Sequence, residues 1–518
     1  MFQPKLIGDL LDRAAAEHPE RLAVAGGGTR LDYRSFRERV ERLAGGLVAR
    51  GVLPGERIAI LDKNGPKYLE LYFGLPRVGA VAVPLNYRLA TPELAYILND
   101  STATTLFYSA DYADLVEGLK PQLSAVRRYV GLEPGIPGAS AYEELLDAPP
   151  APASTQDADD VFLQMYTSGT TGRPKGAMLT HANLVANTLT SVSERDYSPR
   201  DVYLHVAPLY HIADLEIFYG MTYSCAGNVV LREFRPDAVL DAIVREKVSV
   251  VFMVPAMINT LLEHPGLAAY DLTSLRLIVY GGSAIPEDRL RNALLRLPCK
   301  LAQGYGLTET SPVLTVLPAD DHVLEGPRAR RIKSCGRPAH GVEVKIFDEN
   351  ERECAVEVVG EIVARGKNVM KGYWNAPEAT AEALRGGWFH TGDMGFRDVD
   401  GYIYIVDRKK DMIVSGGENV YPREVEEVLH THPDVLEAAV IGVPSERWGE
   451  TVKAVVALRE GRSCSEKDLI EYSRERVARY KAPTSVDFVA ALPRNPSGKV
   501  LKRELREGYW QGHSRRVN

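Results

Sequence analysis

The strongest constraint on the fold is a repeated alternation of short strand-like runs with helical patterns. The runs in the N-terminal part are RIAIL from Arg57, AVAVPL from Ala80 and TTLFYS from Thr104, with helical patterns over 66–78 and 92–99 between them. This order predicts parallel strands covered by helices, because parallel neighbours need a crossover connection that is usually a helix. Two further runs, VSVVFMVP from Val248 and LRLIVYGG from Leu275, end in Pro or Gly, where a parallel sheet usually binds its ligand.

From Val342 onward the pattern changes to short alternating strands, VEVKIF, GEIVARG and GYIYIVD, which is typical of a small antiparallel unit. A charged, glycine-containing segment from Asp407 predicts a linker, although surface loops share this composition. Beyond it, strand-like runs and an amphipathic helical pattern over 465–480 predict a small α+β unit. The expected fold is α/β, with a large N-terminal domain of parallel or mixed sheets, helices and the antiparallel unit over 1–409, and a small mobile α+β domain over 410–518.

Composition narrows the class of protein. With 518 residues, of which 45% are hydrophobic and 25% charged, the chain is too long for one compact core. The formal net charge of −7 argues against a nucleic-acid partner. The five cysteines show no CxxC or His-spaced pair, which argues against a metal site or a disulfide framework. The N-terminus does not resemble a leader, and no apolar run approaches the roughly 18 residues that a membrane span needs, so we expect a cytoplasmic protein.

The segment YTSGTTGRPKG, from Tyr166 to Gly176, cannot support a core. It holds three glycines, four Ser or Thr hydroxyls and a single lysine, and it follows a strand-like run and precedes a helical one. Glycines let backbone N–H groups converge, hydroxyls add donors and Lys175 adds a point charge, so the segment predicts a site for a phosphate chain. It is not a Walker loop, because Gly176 stands where Ser or Thr would bind magnesium. A plain glycine-rich linker is the alternative.

Four other segments decide which class of triphosphate enzyme this is. They are YGLTET from Tyr305, TGD from Thr391, DRKKDMIVSGGENVYPREVE from Asp407 and PRNPSGKVLKR from Pro493. Together with the glycine segment, their order and spacing resemble the adenylate-forming superfamily of acyl-CoA synthetases, luciferases and amino-acid adenylation domains. The resemblance covers essentially the whole chain.

The resemblance implies that a carboxylate attacks the α-phosphorus of ATP bound with Mg²⁺, and that a thiol then displaces AMP. The residues implied to hold the β- and γ-phosphates are Thr167, Ser168, Gly169, Thr170, Thr171 and Lys175. The other implied contacts are Tyr305 with adenine, Thr308 with the α-phosphate, Glu309 with Mg²⁺, and Asp393 with ribose, with Arg408 close by. Lys499 would bridge the carboxylate and α-phosphate oxygens as charge develops. Any one of these residues alone is more often a solvated surface group, so the roles depend on the shared order of motifs.

The resemblance also implies two conformations. Lys499 must leave before a thiol can approach, and similar enzymes achieve this by rotating the small domain about a residue that matches Lys410. The rotated face would then offer Gly416, Gly417 and Glu418 to a pantetheine arm.

The acid pocket is expected along 208–220 and the strand end YGGSAIP. Its predicted lining residues are His211, Asp214, Gly220, Gly281, Gly282, Ser283 and Gly306. Asp214 is unusual there, because an unpaired carboxylate in an apolar pocket is costly and predicts a cationic partner. Its spacing and Ser283 resemble the stand-alone β-amino-acid adenylation enzymes of macrolactam polyketide pathways, which load an acyl carrier protein. The predicted substrate is a medium-chain 3-amino fatty acid, for whose alkyl tail Gly220 would leave room.

Several alternatives stay open. A fatty- or aryl-acyl-CoA synthetase that uses free CoA shares the same motifs. Asp214 could instead pair with an arginine or face water, and His211 could be a packed structural residue. A non-enzymatic nucleotide sensor or scaffold is disfavoured because Lys175 and Lys499 are both intact. A luciferase-type oxygenase is neither indicated nor excluded by the motifs.

Overall fold

A computed structural model describes residues 3–151, 155–167, 173–283, 285–415, 418–445, 448–494 and 500–511, with only the backbone at Lys410. Its internal contacts divide the chain into two compact units. The first unit comprises Met1–Ala284, Arg289–Val344 and Ala364–His390, and the second comprises Ile285–Asp288, Lys345–Val363 and Thr391–Asn518.

The α-helices of the described residues are α1 Gly8–Glu17, α2 Tyr33–Ala49, α3 Pro66–Arg77, α4 Thr91–Asp100, α5 Ala113–Leu119, α6 His181–Arg195, α7 Ile212–Tyr223, α8 Pro236–Glu246, α9 Pro255–Leu262, α10 Glu287–Arg296, α11 Pro377–Ala383, α12 Pro422–His430, α13 Glu466–Arg474 and α14 Lys502–Trp510. Their strands are β1 Leu22–Gly26, β2 Thr29–Asp32, β3 Arg57–Leu61, β4 Val81–Pro84, β5 Thr105–Tyr108, β6 Arg128–Gly131, β7 Ser140–Ala141, β8 Val161–Thr167, β9 Lys175–Thr180, β10 Val202–His205, β11 Gly227–Val230, β12 Val250–Met253, β13 Leu277–Gly281, β14 Lys300–Gly306, β15 Val313–Leu317, β16 Arg337–Pro338, β17 Val342–Phe347, β18 Gly360–Gly366, β19 Gly372–Tyr373, β20 Phe389–Arg397, β21 Ile403–Arg408, β22 Ile413–Ser415, β23 Glu418–Val420, β24 Val435–Ser445, β25 Gly449–Leu458 and β26 Ser485–Phe488.

Two mixed sheets form the framework of the first unit. One has nine described strands in the order β16-β15-β14-β13-β12-β10-β11-β1-β2, and the other has eight in the order β19-β9-β8-β4-β3-β5-β6-β7. The runs predicted from Arg57, Ala80 and Thr104 are β3, β4 and β5, and β3 pairs with both others in parallel, as expected. The predicted α/β fold class is confirmed.

Burial explains why the central strands are continuous apolar runs. Strands β12 and β13 are buried along their whole length, which is typical of parallel strands with both faces covered. Helix α7 is buried on nearly all sides, so it carries no amphipathic pattern that could show which of its residues face a ligand. The residues at its start come from the segment that was predicted to line the acid pocket.

The second unit contains strands where a linker was predicted. Strands β22 and β23 pair antiparallel, and Ile413 and Val420 are 1% and 0% exposed. They belong to a sheet with β24, β25 and β26 that α12 and α13 cover. The linker prediction is therefore wrong for 413–415 and 418–420, because these short apolar strands are hidden among charges. The helix predicted over 465–480 is also too long: α13 ends at Arg474, since the side chains beyond it are exposed or half-exposed and bury nothing.

No helix in the described part of the chain is both long and apolar enough to cross a bilayer.

Candidate active site

The carboxylate of Glu309 is the centre of the site in the first unit. Glu309 lies in a short 3-10 turn directly after β14 and is 7% exposed. Its Oε1 accepts hydrogen bonds from the Tyr373 hydroxyl at 2.8 Å and from Thr167 Oγ1 at 3.2 Å. Burial and the charge of Glu309 raise the pKa of Tyr373 above its ordinary value, so this phenol stays protonated and donates. A negative group is thus held in a fixed orientation.

A hairpin brings the lysine of the glycine segment to the same place. Strands β8 and β9 pair antiparallel, and Thr167 and Lys175 are register partners at the end of the hairpin where the chain passes from one strand to the other. The Nζ atom of Lys175 lies 5.4 Å from the centre of the Tyr373 ring. Strand β19, which carries Tyr373, pairs with β9 next to Lys175. The three strands β8, β9 and β19 therefore bring Thr167 and Tyr373 into contact with Glu309, and Lys175 close to Tyr373.

Backbone contacts fix the turn that carries Glu309. The Nδ2 atom of Asn368 donates to the carbonyl oxygens of Thr310 and Val313, each at 2.9 Å. The Met370 N–H donates to the Glu309 carbonyl at 2.8 Å. Within the same turn region, Thr308 and Tyr305 are half-buried. The segment 368–373 therefore supports the site twice, through the turn backbone and through the Tyr373 hydroxyl.

Asp393 and Arg408 form a pair within the second unit. They are register partners on β20 and β21, and Arg408 Nε lies 2.6 Å from Asp393 Oδ1. Asp393 is 3% exposed, and its N–H donates to Thr391 Oγ1. The sequence prediction that Arg408 lies close to Asp393 is confirmed. Their predicted contact with ribose remains a prediction.

Several predicted residues lie outside the described residues. They are Ser168, Gly169, Thr170, Thr171, Gly416, Gly417 and Lys499, together with the side chain of Lys410. Their assigned roles remain predictions.

Two of the glycines predicted to line the acid pocket, Gly281 and Gly306, are enclosed by protein backbone. A Cβ at Gly281 would lie 2.5 Å from the Gly304 carbonyl oxygen, and one at Gly306 would lie 1.7 Å from the Pro312 carbonyl oxygen. Glycine is therefore required at both positions by close backbone packing. Gly282 has a φ of +78°, and it and Ser283 are exposed.

The two predicted pocket residues at the ends of α7 have different surroundings. A Cβ at Gly220 would meet the ring of Tyr197 at 3.2 Å, so the absent side chain leaves no room for an alkyl tail, contrary to the sequence prediction. His211 is the N-cap residue of α7, and burial lowers its pKa to about 4, so its imidazole is neutral at pH 7. Among the described residues, none forms a hydrogen bond with its Nε2.

Asp214 does not need a substrate cation. It is 0% exposed, and both its carboxylate oxygens have protein partners. Tyr203 OH donates to Oδ1 at 2.7 Å, and His205 Nδ1 lies 2.5 Å from Oδ2. His205 Nε2 in turn lies 3.2 Å from Oδ1 of Asn228. The side chain joins α7 to β10 and β11 within the core, which disfavours the predicted ammonium contact.

The arrangement around Glu309 suits phosphate chemistry with a divalent cation. A carboxylate oxygen is a preferred Mg²⁺ ligand, and Lys175 and the hydroxyls of Thr167 and Thr308 can neutralise or donate to phosphate oxygens. Sequence reasoning missed Tyr373 and Asn368. The only signal for them was the short stretch KNVMKGYWN, which combines polar and aromatic residues without any period and so reads as a surface loop.

Comparisons with known proteins agree with this chemistry. A family model described as AMP-binding enzyme matches residues 11–374, and one described as AMP-binding enzyme C-terminal domain matches 424–499. The chain is 45% identical over 498 residues to a feruloyl-CoA synthase of Amycolatopsis sp, covering 96% of this chain and 98% of that one. It is 39% identical over 510 residues to the fatty acid–[acyl-carrier-protein] ligase ScoC of Streptomyces coeruleorubidus, covering 97% and 96%. The crystal structure of ATP-bound MatB from Rhodopseudomonas palustris matches with a TM-score of 0.88 at 34% identity, covering 97% and 99%. The chain therefore belongs to the AMP-binding enzyme family and is an adenylate-forming acid ligase.

Proposed function

We propose that this ligase converts an aromatic carboxylic acid that lacks an amino group into its CoA thioester. In the first step, a carboxylate oxygen of the acid bonds to the α-phosphorus of ATP and pyrophosphate leaves. In the second, the sulfur of CoA bonds to the acyl carbon, AMP leaves, and the thiol proton passes to solvent. The observation that carries the proposal is the doubly hydrogen-bonded carboxylate of Glu309 beside Lys175.

Each residue of the site has a proposed role in the first step. Lys175 and Thr167 would bind the outer phosphates, and Thr308 would donate to the α-phosphate. Tyr373 orients Glu309, whose carboxylate has the charge and hardness that a bound Mg²⁺ prefers. When bound, Mg²⁺ supplies charge neutralisation on the phosphate oxygens. Lys499 would add a cation where acid and phosphorus meet, as the resemblance implies.

The proposed acid class rests on two observations. Both oxygens of Asp214 already have partners in the core, so nothing there calls for a substrate ammonium. The relative at 45% identity is named a feruloyl-CoA synthase, whose acid is aromatic and has no amine. A 3-amino fatty acid is therefore the weaker candidate.

Free CoA is the proposed acceptor, and an acyl carrier protein is the second candidate. The identity to the CoA-using relative is 45%, against 39% for ScoC, which is named as loading a carrier protein. An assay that offers CoA and a phosphopantetheinylated carrier protein in parallel distinguishes them. We expect thioester on CoA, and thioester on the carrier alone would contradict this.

The acid class is tested by pyrophosphate exchange across aromatic acids, plain fatty acids, α-amino acids and β-amino acids. We expect the highest kcat/KM for an aromatic acid, as the name of the feruloyl-CoA synthase relative suggests, and low values for amino acids, because the Asp214 carboxylate is already hydrogen-bonded within the core. A preference for β-amino acids would overturn the proposed substrate class. Failure of every acid to support exchange would overturn the proposed activity itself.

We also propose that the chain works as two domains, 1–409 and 410–518, with Lys410 as the hinge. Lys410 lies in the short turn Lys409–Asp411, at the end of β21. Replacing Lys410 by proline should leave adenylation near its normal rate and slow thioester formation several-fold, because proline restricts the φ change that a rotation requires.

The two half-reactions are measured separately, by pyrophosphate exchange and by single-turnover transfer from preformed acyl-adenylate to CoA. Lys410→Ala is the control, since it removes the side chain without fixing φ, and it should transfer at a rate close to that of the natural protein. Equal losses in both half-reactions of Lys410→Pro would contradict the hinge role.

A further inference from the structure

A buried polar cluster lies between α6 and α7, outside the Glu309 site. It consists of Ser191, Arg195, Tyr197 and Glu216, and we call it the Arg195 cluster. Arg195 Nη1 lies 2.8 Å from Glu216 Oε1, and the two side chains are 2% and 3% exposed. The same Nη1 also donates to Ser191 Oγ. An ion pair this deeply buried is costly to desolvate, so its presence needs a reason beyond stability.

The cluster has polar atoms left over. They are Arg195 Nε, Tyr197 OH and Glu216 Oε2, which form no well-aligned hydrogen bond within the described part of the chain, although Ser191 and Arg195 lie beside Tyr197 and Ser191 also lies beside Glu216. Burial raises the pKa of Tyr197 to about 12, so its hydroxyl keeps its proton. Buried polar atoms are nearly always hydrogen-bonded, and a set that combines donors with a carboxylate acceptor suits a ligand hydroxyl, which can both donate and accept.

The cluster borders β14, the strand that leads to the active site. Arg195 Nη2 lies 3.1 Å from the position that a Cβ on Gly304 would take, and Gly304 is only half-buried. Gly304 precedes Thr308 by four residues, which corresponds to at most about 14 Å of extended chain. This is a span that an acid can bridge from its carboxylate to its distal end.

Apolar side chains lie beside the cluster. Val192, Ala213 and Val254 are partly exposed and pack on the same buried core as Tyr197 and Ile217. These side chains come from α6, α7 and the end of β12. They form an apolar surface that is not fully covered by protein, on the same core to which Tyr197 belongs.

We propose that the Arg195 cluster is the far end of the acid pocket and binds a hydroxyl group on the distal end of the acid. This inference rests on the proposed function, because it assumes that the acid lies along β14. The hydroxyl would donate to Glu216 Oε2 and accept from Tyr197 OH or Arg195 Nε. A purely apolar tail would form no hydrogen bond with any of these three atoms, so the cluster would select hydroxylated acids over otherwise identical ones.

The test compares 4-hydroxycinnamic acid with cinnamic acid in pyrophosphate exchange, which is independent of the thiol acceptor. We expect kcat/KM to favour the hydroxylated acid by at least about tenfold. Tyr197→Phe, which removes only the hydroxyl, should lower this ratio by about fivefold and leave kcat/KM for cinnamic acid nearly unchanged. Glu216→Gln should also lower the ratio of kcat/KM for 4-hydroxycinnamic acid to kcat/KM for cinnamic acid.

Tyr219→Phe is the matched control, because Tyr219 is also a buried tyrosine but its hydroxyl donates to the Tyr72 carbonyl. For this variant, the ratio of kcat/KM for 4-hydroxycinnamic acid to kcat/KM for cinnamic acid should equal that of the natural protein. A natural ratio within about twofold of unity, or an equal loss on both acids in Tyr197→Phe, would overturn the assignment, since a merely structural cluster cannot separate the two acids.

The same experiment separates failure of this inference from failure of the proposed function. If neither cinnamic acid supports exchange while dodecanoic acid does, the proposed aromatic class is wrong. The pair then becomes 12-hydroxydodecanoic acid and dodecanoic acid, and the same ratios decide the role of the cluster. If aromatic acids react without regard to the hydroxyl, the function stands and the cluster assignment is wrong.

Discussion

Replacing Glu309 by glutamine is expected to lower the rate of acyl-adenylate formation by on the order of 10²- to 10³-fold while the fold persists. Glutamine keeps the shape of the side chain and an oxygen that can still accept from Tyr373 and Thr167. What it removes is the negative charge, and with it the preferred ligand for a divalent cation next to the phosphates. The measurement is pyrophosphate exchange at saturating ATP, acid and Mg²⁺, with circular dichroism to confirm that the protein is folded.

Tyr373→Phe is the matched control for this variant. It removes one hydrogen bond of 2.8 Å to the same carboxylate oxygen but leaves the charge in place. A hydrogen bond to a charged group contributes about 1.5 kcal/mol or more, and Thr167 still donates to the carboxylate, so this variant should lose about tenfold in rate. If Glu309→Gln kept a rate within about twofold of the natural protein, Glu309 would not be the group that binds the cation.

Replacing Asp214 by alanine is expected to lower the free energy of unfolding by about 3–5 kcal/mol. The change leaves the Tyr203 hydroxyl and the His205 ring nitrogen without their acceptor, in surroundings that are 0% exposed at Asp214. It also opens a small cavity between α7 and β10. The loss should be visible in urea unfolding followed by tryptophan fluorescence, since Trp374 and Trp388 belong to the same unit.

Asp320→Ala provides the comparison for this prediction. The Asp320 side chain is 84% exposed, and within the described ranges its one ion pair is with the exposed Lys300 at 2.9 Å, so the variant should stay within about 0.5 kcal/mol of the natural protein. Substrate preference is a second readout. At a temperature where Asp214→Ala is folded, its order of preference among plain and amino acids should match that of the natural protein. A selective loss on amino acids would restore the ammonium hypothesis.

The strands of the two mixed sheets could be predicted well from the sequence, because strands that are buried on both faces consist of apolar residues. Strands β3, β4, β5, β12 and β13 lie in the interior of mixed sheets and therefore appear as short apolar runs. The pairing of Asp393 with Arg408 also followed from motif order. Strand β20, in contrast, alternates buried and half-buried residues and was noticed only for its TGD motif.

Asp214 shows why spacing could not decide the side-chain environment. Helix α7 is buried on nearly all sides, so counting residues from a neighbouring motif does not reveal whether a side chain points to a pocket or to the sheet. The absence of a CxxC or His-spaced cysteine pair was an equally poor guide to which side chains meet in the fold. His432, Asp434 and Cys464 bring ligand atoms within 4.8 Å of one another although Cys464 lies far from the other two in sequence, and no CxxC pattern marks them.

Two tightly packed glycines that are predicted to line the acid pocket would restrict how this enzyme could acquire new substrates. Since a Cβ at Gly281 or Gly306 would collide with backbone atoms, mutation at either position would disturb the strands before it could reshape the pocket. In the proposed acid pocket, specificity would therefore change through the side chains of α6 and α7, where Val192 and Ala213 are partly exposed and can change in size. A library for altered specificity should accordingly randomise those two helices and keep both glycines fixed.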